Sequence, residues 1–158
     1  MRQLLALCLG FAALAAASRS PLVQRAVDMV LEDFHSKSHV QWAHREQAVE
    51  DVIETDYLAG PFVQLRLTLR QTQCQNQPGR SQDCAFRRNG RKRSCRACFK
   101  FDVSLARVLD QYVHCMAERQ LAVTDMARRD AEECEAVQQA GEALYHPGRF
   151  AFSKALPS

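Results

Sequence analysis

No stretch of this sequence is long enough and apolar enough to cross a bilayer as a helix, which takes roughly 20 residues; the longest apolar run, Leu4 to Ala17, falls short. No N-x-S/T acceptor is present, since Asn76 is followed by Gln-Pro and Asn89 by Gly-Arg, so N-glycosylation is not expected. The short catalytic motifs are missing too. Five histidines, His35, His39, His44, His114 and His146, are scattered, with no Ser/His/Asp spacing, no His-Glu-x-x-His and no glycine-rich phosphate loop. Glu46, Glu50, Asp51 and Glu54 read as a solvated face and not as a paired-carboxylate site. An enzyme is therefore not expected, and no cofactor or metal is called for. Net charge is small as well: 21 basic against 18 acidic residues give a formal +3, so only the distribution of charge is informative.

What is present begins with an export signal. Met1-Arg2-Gln3 is a short positive start, Leu4 to Ala17 is nearly free of polar atoms, and Ala15-Ala16-Ala17 is a small-residue cleavage pattern. Cleavage is placed after Ala17. Residues 18–158 then suit one domain with a hydrophobic core of its own. Of the seven cysteines Cys8 leaves with the signal, and Cys74, Cys84, Cys95, Cys98, Cys115 and Cys134 remain. An even number in an oxidising compartment reads as three disulfides, and spacing alone leaves all fifteen pairings open. Cys95-x-x-Cys98 has the spacing of a zinc knuckle or a redox pair. It lacks a second ligand pair at matching spacing for zinc, and its flanks are basic and strand-like where a redox pair opens a helix.

Ser20-Pro21 is a helix start, and Leu22, Val23, Ala26, Val27, Val30, Leu31 and Phe34 share one face up to a stop near residues 35–38. A strand is expected from Val40 to Val52, then a loop through Thr55 to Pro61. Val63, Leu65, Leu67 and Leu69 alternate with polar residues, the clearest strand in the chain. Pro78-Gly79 marks a turn between Cys74 and Cys84. Asn89-Gly90 predicts a hairpin joining a strand that ends near Arg88 to one running from Arg91 to Phe101. Residues 103–115 fit a strand or a short helix, and Met116 to Gln139 reads as helical with a weak apolar stripe. The order gives an α+β fold, an N-terminal helix laid on an antiparallel sheet.

Two features stand out for function. Arg87, Arg88, Arg91, Lys92, Arg93 and Arg96 gather around Asn89-Gly90; such a patch attracts sulfated glycans, anionic lipid or bacterial surfaces, or is a solvated hairpin with no partner. Nucleic acid is disfavoured, because no aromatics interleave the charges. The segment Tyr145-His146-Pro147-Gly148-Arg149-Phe150-Ala151-Phe152-Ser153 packs three aromatics around a Pro-Gly turn signal. Aromatics clustered at a chain end imply docking on the core or recognition by another molecule.

Phe34-His35, Val40-Gln41-Trp42-Ala43, Gln71-Thr72 with Cys74, Asn89-Gly90-Arg91-Lys92-Arg93, Cys95-x-x-Cys98 and Val113-His114-Cys115 resemble the chemerin family of secreted adipokines and chemoattractants. So does the closing Gly148-x-Phe150-Ala151-Phe152-Ser153-Lys154-Ala155-Leu156-Pro157. The resemblance implies a cystatin- or cathelicidin-like fold and the disulfides Cys74–Cys84, Cys95–Cys115 and Cys98–Cys134. It divides the chain into a signal peptide (1–17), a cystatin-like domain (18–144), a flexible receptor-activating tail (145–153) and a C-terminal propeptide (154–158). A monomer is expected, and the resemblance implies a precursor processed after Ser153 or Lys154 by serine proteases and a basic carboxypeptidase. The new C-terminus is then a ligand for a chemokine-like G-protein-coupled receptor, read through Tyr145, Pro147, Gly148, Phe150, Ala151, Phe152 and Ser153. Leukocyte chemotaxis, inflammation and adipocyte differentiation are the settings it implies. His146 and Arg149 depart from the family pattern, which has phenylalanine and glutamine there.

Two other function classes bear comparison. A cysteine-protease inhibitor of cystatin type carries Q-x-V-x-G in its first hairpin; Gln47-Ala48-Val49-Glu50-Asp51 matches with Asp51 in place of glycine. A cationic host-defence precursor needs a strongly basic tail, and this one has only Arg149 and Lys154 besides His146.

Overall fold

The computed structural model describes residues 18–78, 83–118 and 124–145. The export signal, Gly79, the tail beyond Tyr145 and the 154–158 extension lie outside the described residues. Helix α1 spans Pro21–His35, β1 Trp42–Tyr57, β2 Gly60–Gln75, β3 Lys92–Phe101, β4 Val108–Ala117 and α2 Thr124–Gln139, followed by a 3₁₀ turn at Glu142–Tyr145. The four strands form one antiparallel meander in the order β1-β2-β3-β4.

Helix α1 starts where its cap dictates. The Val23 N–H donates to Ser20 Oγ at 3.1 Å, and Pro21 occupies the first turn, where its missing N–H is not needed. Val23, Ala26, Val27, Val30 and Phe34 are buried, while Leu22, Met29 and Leu31 form the half-covered margin of the stripe. They pack on Val63, Leu65, Leu67 and Leu69 of β2 and on Cys95, Ala97, Phe99 and Phe101 of β3. Each valine, leucine or phenylalanine among them contributes about 1.5–3 kcal/mol on leaving water.

The opposite face of the sheet carries α2, which buries Cys134 and Val137 against Phe62 and Cys98. The disulfides join Cys74 to Cys84, Cys95 to Cys115 and Cys98 to Cys134, the pairing that the family resemblance implies.

Three expectations are corrected. The loop expected at Thr55 to Pro61 is instead the end of β1, a two-residue turn at Leu58-Ala59 and the start of β2. Gly60, at φ +136°, makes this possible, because a Cβ there would lie 2.1 Å from the Phe101 carbonyl oxygen. Pro61 is tolerated because the β2–β3 ladder begins one residue later, at Phe62↔Lys100.

Asn89-Gly90 does not reverse the chain. The Arg87 N–H donates to the Gln71 carbonyl, and the Gln71 N–H donates to the Arg91 carbonyl. Residues 85–87 and 91–101 therefore run in the same direction along β2, and 88–90 is looped out between them. The only bridge before the loop among the described residues is Thr72↔Phe86. Finally, residues 103–115 are neither one strand nor a helix: β4 begins at Val108, and Val103 and Leu105 lie exposed in a loop closed by Asp102.

Past the C-terminus of α1, His35 Nε2 accepts from the His44 N–H at 2.9 Å, so this ring nitrogen carries no proton. His44 Nδ1 lies 2.9 Å from the Trp42 carbonyl and must donate to it, which leaves its Nε2 bare. Burial lowers the pKa of both rings below the ordinary 6.5; for His44 the charges of His35 and Arg93 add to this. The unfolded chain therefore takes up protons before the native one as pH falls through that value, and stability decreases as pH falls. The thermal midpoint is expected to drop between pH 7 and pH 5. His35→Gln, which keeps an acceptor for the His44 amide, should flatten that slope; an unchanged slope in calorimetric scans would exclude His35 as a contributor.

Candidate functional site

The six cations expected to form one patch are divided by the pleat of β3. Arg87, Arg88, Arg91 and Arg93 line a groove of about 590 Å³ at the end of the sheet beyond α1, together with Phe34, His39, Trp42, His44, Gln71 and Asn89. Lys92 faces a neighbouring recess with Ala117 and Glu118, which Asn89, Arg91 and Arg93 also line. Arg96 lies on the α2 side, its Nε 3.7 Å from Asp130 Oδ2. The groove contains no acidic lining residue, and among the described residues none of its four arginines forms an ion pair with a carboxylate.

The loop that carries the arginines is held firmly. Phe86 is flanked by the guanidinium groups of Arg45 and Arg70, 5.2 and 5.3 Å from its ring centre. Arg70 donates to the carbonyls of Arg87 and Arg88, and Arg45 to that of Cys84. Arg87 in turn lies 5.4 Å over Trp42. Gly90 sits against the Gln71 carbonyl, where a Cβ would come within 2.7 Å, so the loop-out closes tightly only with glycine.

At the far end of the molecule is the root of the C-terminal segment. Lys100 is fully buried, its Nζ donating to Glu142 Oε1 at 2.7 Å and to the Gln138 carbonyl at 3.0 Å, with the Tyr57 ring 4.1 Å away. The same Glu142 oxygen accepts from the Ala59 N–H at 3.0 Å. One ion pair thus joins the β1–β2 turn, β3, the end of α2 and the 3₁₀ turn that leads to Tyr145. Gly141, at φ +78°, sets that turn against Leu109 and Ala59. Leu58, Val103 and Leu144 stand exposed on the segments that meet here. Tyr145 is the last described residue; Pro147, Gly148, Phe150, Ala151, Phe152, Ser153 and Lys154, like Ala17, lie outside the described residues.

A third cluster fixes α2. Asp130, 2% exposed, accepts from Tyr112 Oη and His114 Nδ1, each at 2.9 Å. Burial, with the hydrogen bond to Asp130 adding, pushes the Tyr112 phenol up to about 12, so it remains a donor. Sequence reasoning missed Asp130, Lys100 and Glu142. One signal was available for Asp130: it precedes Cys134 and Val137 by four and seven residues, on the same helical face. Lys100 and Glu142 carry no local mark of burial.

The near match Gln47–Asp51 is not in a loop. It lies within β1, with Ala48 opposite Thr68, Val49 opposite Leu67 and Glu50 opposite Arg66; the hairpin tip is Leu58-Ala59. Asp51 adopts φ +51° at a register shift and pairs with Arg66 at 2.7 Å. Cys95 and Cys98 belong to different disulfides, which leaves neither a redox pair nor a zinc knuckle.

No protein-family model matches the chain. Retinoic acid receptor responder protein 2 of Homo sapiens is 41% identical over 163 residues, covering 99% of both chains. The Bos taurus protein of that name is 40% identical over 96% of this chain and 94% of its own length. Among solved structures, dimeric human cystatin F superposes with a TM-score of 0.51 at 21% identity, covering 63% of this chain and 83% of that one. Al-CPI gives 0.50 at 17% identity, covering 63% and 92%. Both structural likenesses concern the fold alone.

The Lys100–Glu142 pair should behave as a coupled unit. Lys100→Met or Glu142→Ala alone is expected to destabilise by about 3–5 kcal/mol, because each leaves a buried partner uncompensated. The double variant should lose clearly less than the sum, with a coupling of roughly 1–3 kcal/mol. Denaturant unfolding with the disulfides intact measures this, and strictly additive losses would show that the two groups do not interact.

Proposed function

The chain belongs to the retinoic acid receptor responder protein 2 (chemerin) family, and from that premise we propose that it is a secreted precursor of a chemoattractant and adipokine. Its C-terminal segment is released from inhibition by proteolysis to engage a chemokine-like G-protein-coupled receptor on leukocytes and adipocytes. The observation that carries this reading is the likeness to the human relative over 99% of both chains, which extends through the aromatic tail. The export signal at Met1–Ala17 and the three disulfides support an extracellular setting. Among the described residues no helix is long and apolar enough to cross a membrane.

The chemistry of the tail fits a peptide ligand. Phe150 and Phe152 supply the apolar anchors, Pro147-Gly148 the turn, and the carboxylate created at Ser153 a charge for a cationic partner in the receptor. Five further residues, Lys154 to Ser158, would have to be accommodated at the depth where that carboxylate binds. A serine protease cutting after Lys154, followed by a basic carboxypeptidase, would expose Ser153; a direct cut would do so in one step. The folded domain presents the tail from a fixed point, since the 3₁₀ turn before it is tied to β3 through Lys100 and Glu142. The protease-inhibitor reading is weakened by the pairing of Gln47–Asp51 with β2 inside a strand, away from the hairpin tip at Leu58-Ala59 that would enter a cleft.

Two measurements test the proposal. The chain ending at Ser153 should exceed the chain ending at Ser158 by on the order of tenfold or more in calcium flux on receptor-bearing cells, about 1.4 kcal/mol of effective affinity. Equal potency would remove the inhibitory role of Lys154–Ser158, and silence from both would remove the ligand role. Against a papain-like protease neither form should inhibit at micromolar concentration; tight inhibition would restore the cystatin-type reading.

A further inference from the structure

We propose that the arginine-lined groove beyond the C-terminus of α1 is a binding site for sulfated glycan chains. Arg87, Arg88, Arg91 and Arg93 bring four guanidinium groups to one concavity whose own lining has no acidic residue; Glu118 stands in the neighbouring recess that Arg91 and Arg93 also border. Guanidinium matches the tetrahedral oxygens of a sulfate with two parallel donors, which a lysine ammonium does not. The volume, about 590 Å³, falls within the range of roughly 300–1,000 Å³ for small-ligand clefts. It therefore holds a short piece of a chain and leaves the remainder to run out over the surface.

The lining also suits a ligand with hydroxyls as well as charge. The side-chain amides of Gln71 and Asn89 and the ring of His39 lie along the same groove as the arginines, and such neutral polar groups exchange hydrogen bonds with sugar hydroxyls.

An anionic membrane surface is the rival occupant, and the site suits it poorly. Among the described residues the large exposed apolar side chains, Val52, Ile53, Leu58, Val103, Leu105, Leu109 and Leu144, lie outside the groove lining, and the one large ring beside the arginines, Trp42, is covered by Arg87. The arginines are also held in place, Arg87 by Trp42 and the backbone of the loop by Arg70 and Gln71. A pre-formed concavity favours an extended chain that enters it over a plane that lies across it.

The sole tryptophan of the chain, Trp42, lies in the groove and reports on it directly. The full-length disulfide-bonded protein is titrated with a fully sulfated heparin-derived hexasaccharide, with its desulfated counterpart, and with phosphatidylserine vesicles. A saturable change in tryptophan emission is expected for the sulfated sugar alone. Arg88→Ala with Arg91→Ala, both exposed, should weaken binding roughly tenfold. Arg93→Gln provides a second test within the groove. Arg128→Ala with Arg129→Ala, on the exposed side of α2, should stay within about twofold of the parent. Calorimetric binding with no change in emission would put the sugar elsewhere. Equal losses in both arginine pairs would reduce the site to diffuse charge attraction, and equal binding of the desulfated sugar would exclude sulfate recognition. Saturation by vesicles without the sugar would replace the glycan by a membrane surface. Each of these outcomes overturns the proposal, and none depends on receptor activity.

Discussion

Successive side chains of β3 leave the sheet on opposite faces, and most of the long-range ties in the molecule are distributed by that alternation. Cys95, Ala97, Phe99 and Phe101 turn toward α1, where Cys95 meets Cys115 on β4 and the others close the main core. Cys98 and Lys100 turn the other way, to Cys134 on α2 and to Glu142 beyond it. Arg96 follows them and meets Asp130. Because Cys95 and Cys98 are three apart on a strand they point to opposite faces and cannot pair with each other. A register slip of one residue would exchange every one of these partners. Removing a single disulfide from a small secreted domain typically costs about 2–5 kcal/mol, and two of the three here depend directly on that register.

The two ends of the molecule are chemically distinct. Helix α1, with its 15 residues, spans about 22 Å at 1.5 Å per residue. Its first turns approach the 102–107 loop, where Arg25 donates to the Leu105 carbonyl and lies 4.9 Å over Phe101. Its last turn carries Phe34 to the rim of the arginine groove. The root of the C-terminal segment lies near the first end, beside Ala59 and Leu109, and the groove lies at the second. Cationic and apolar exposed features are thus held apart by the length of the helix.

Much of the fold was legible because it rests on local rules. Ser20-Pro21 fixed the start of α1, its apolar stripe fixed the buried face, and strict alternation at 63–69 fixed β2. The failures share one cause. Asn89-Gly90 is a local turn signal, but whether the chain reverses depends on which strand its flanks join, and both flanks join Gln71 of β2. Leu58-Ala59 carries no turn residues at all; the demand fell on Gly60 next to it, through a contact with Phe101 far along the chain. The burial of Lys100 and Asp130 likewise comes from partners 42 and 16–18 residues away. The cations expected to form one patch are split by strand alternation, which carries Arg96 across to Asp130 and turns Lys92 into the recess beside the groove.

Separation between the groove and the tail root has a consequence for how the two surfaces act. Free-energy changes at sites farther apart than about 7–10 Å, without shared partners, generally add. Groove and root share no residue: Phe34, Trp42, His44 and the four arginines serve one, and Tyr57, Ala59, Lys100, Gln138 and Glu142 the other. The sheet between them is closed by two disulfides and a dense core, which transmits no hinge of its own. A long anionic chain held in the groove would therefore leave the described root of the C-terminal segment unperturbed. On the function proposed above, such an arrangement would concentrate the protein on a surface through residues that the root of the C-terminal segment does not use, so that binding there raises local concentration and makes no demand on the Lys100–Glu142 anchor.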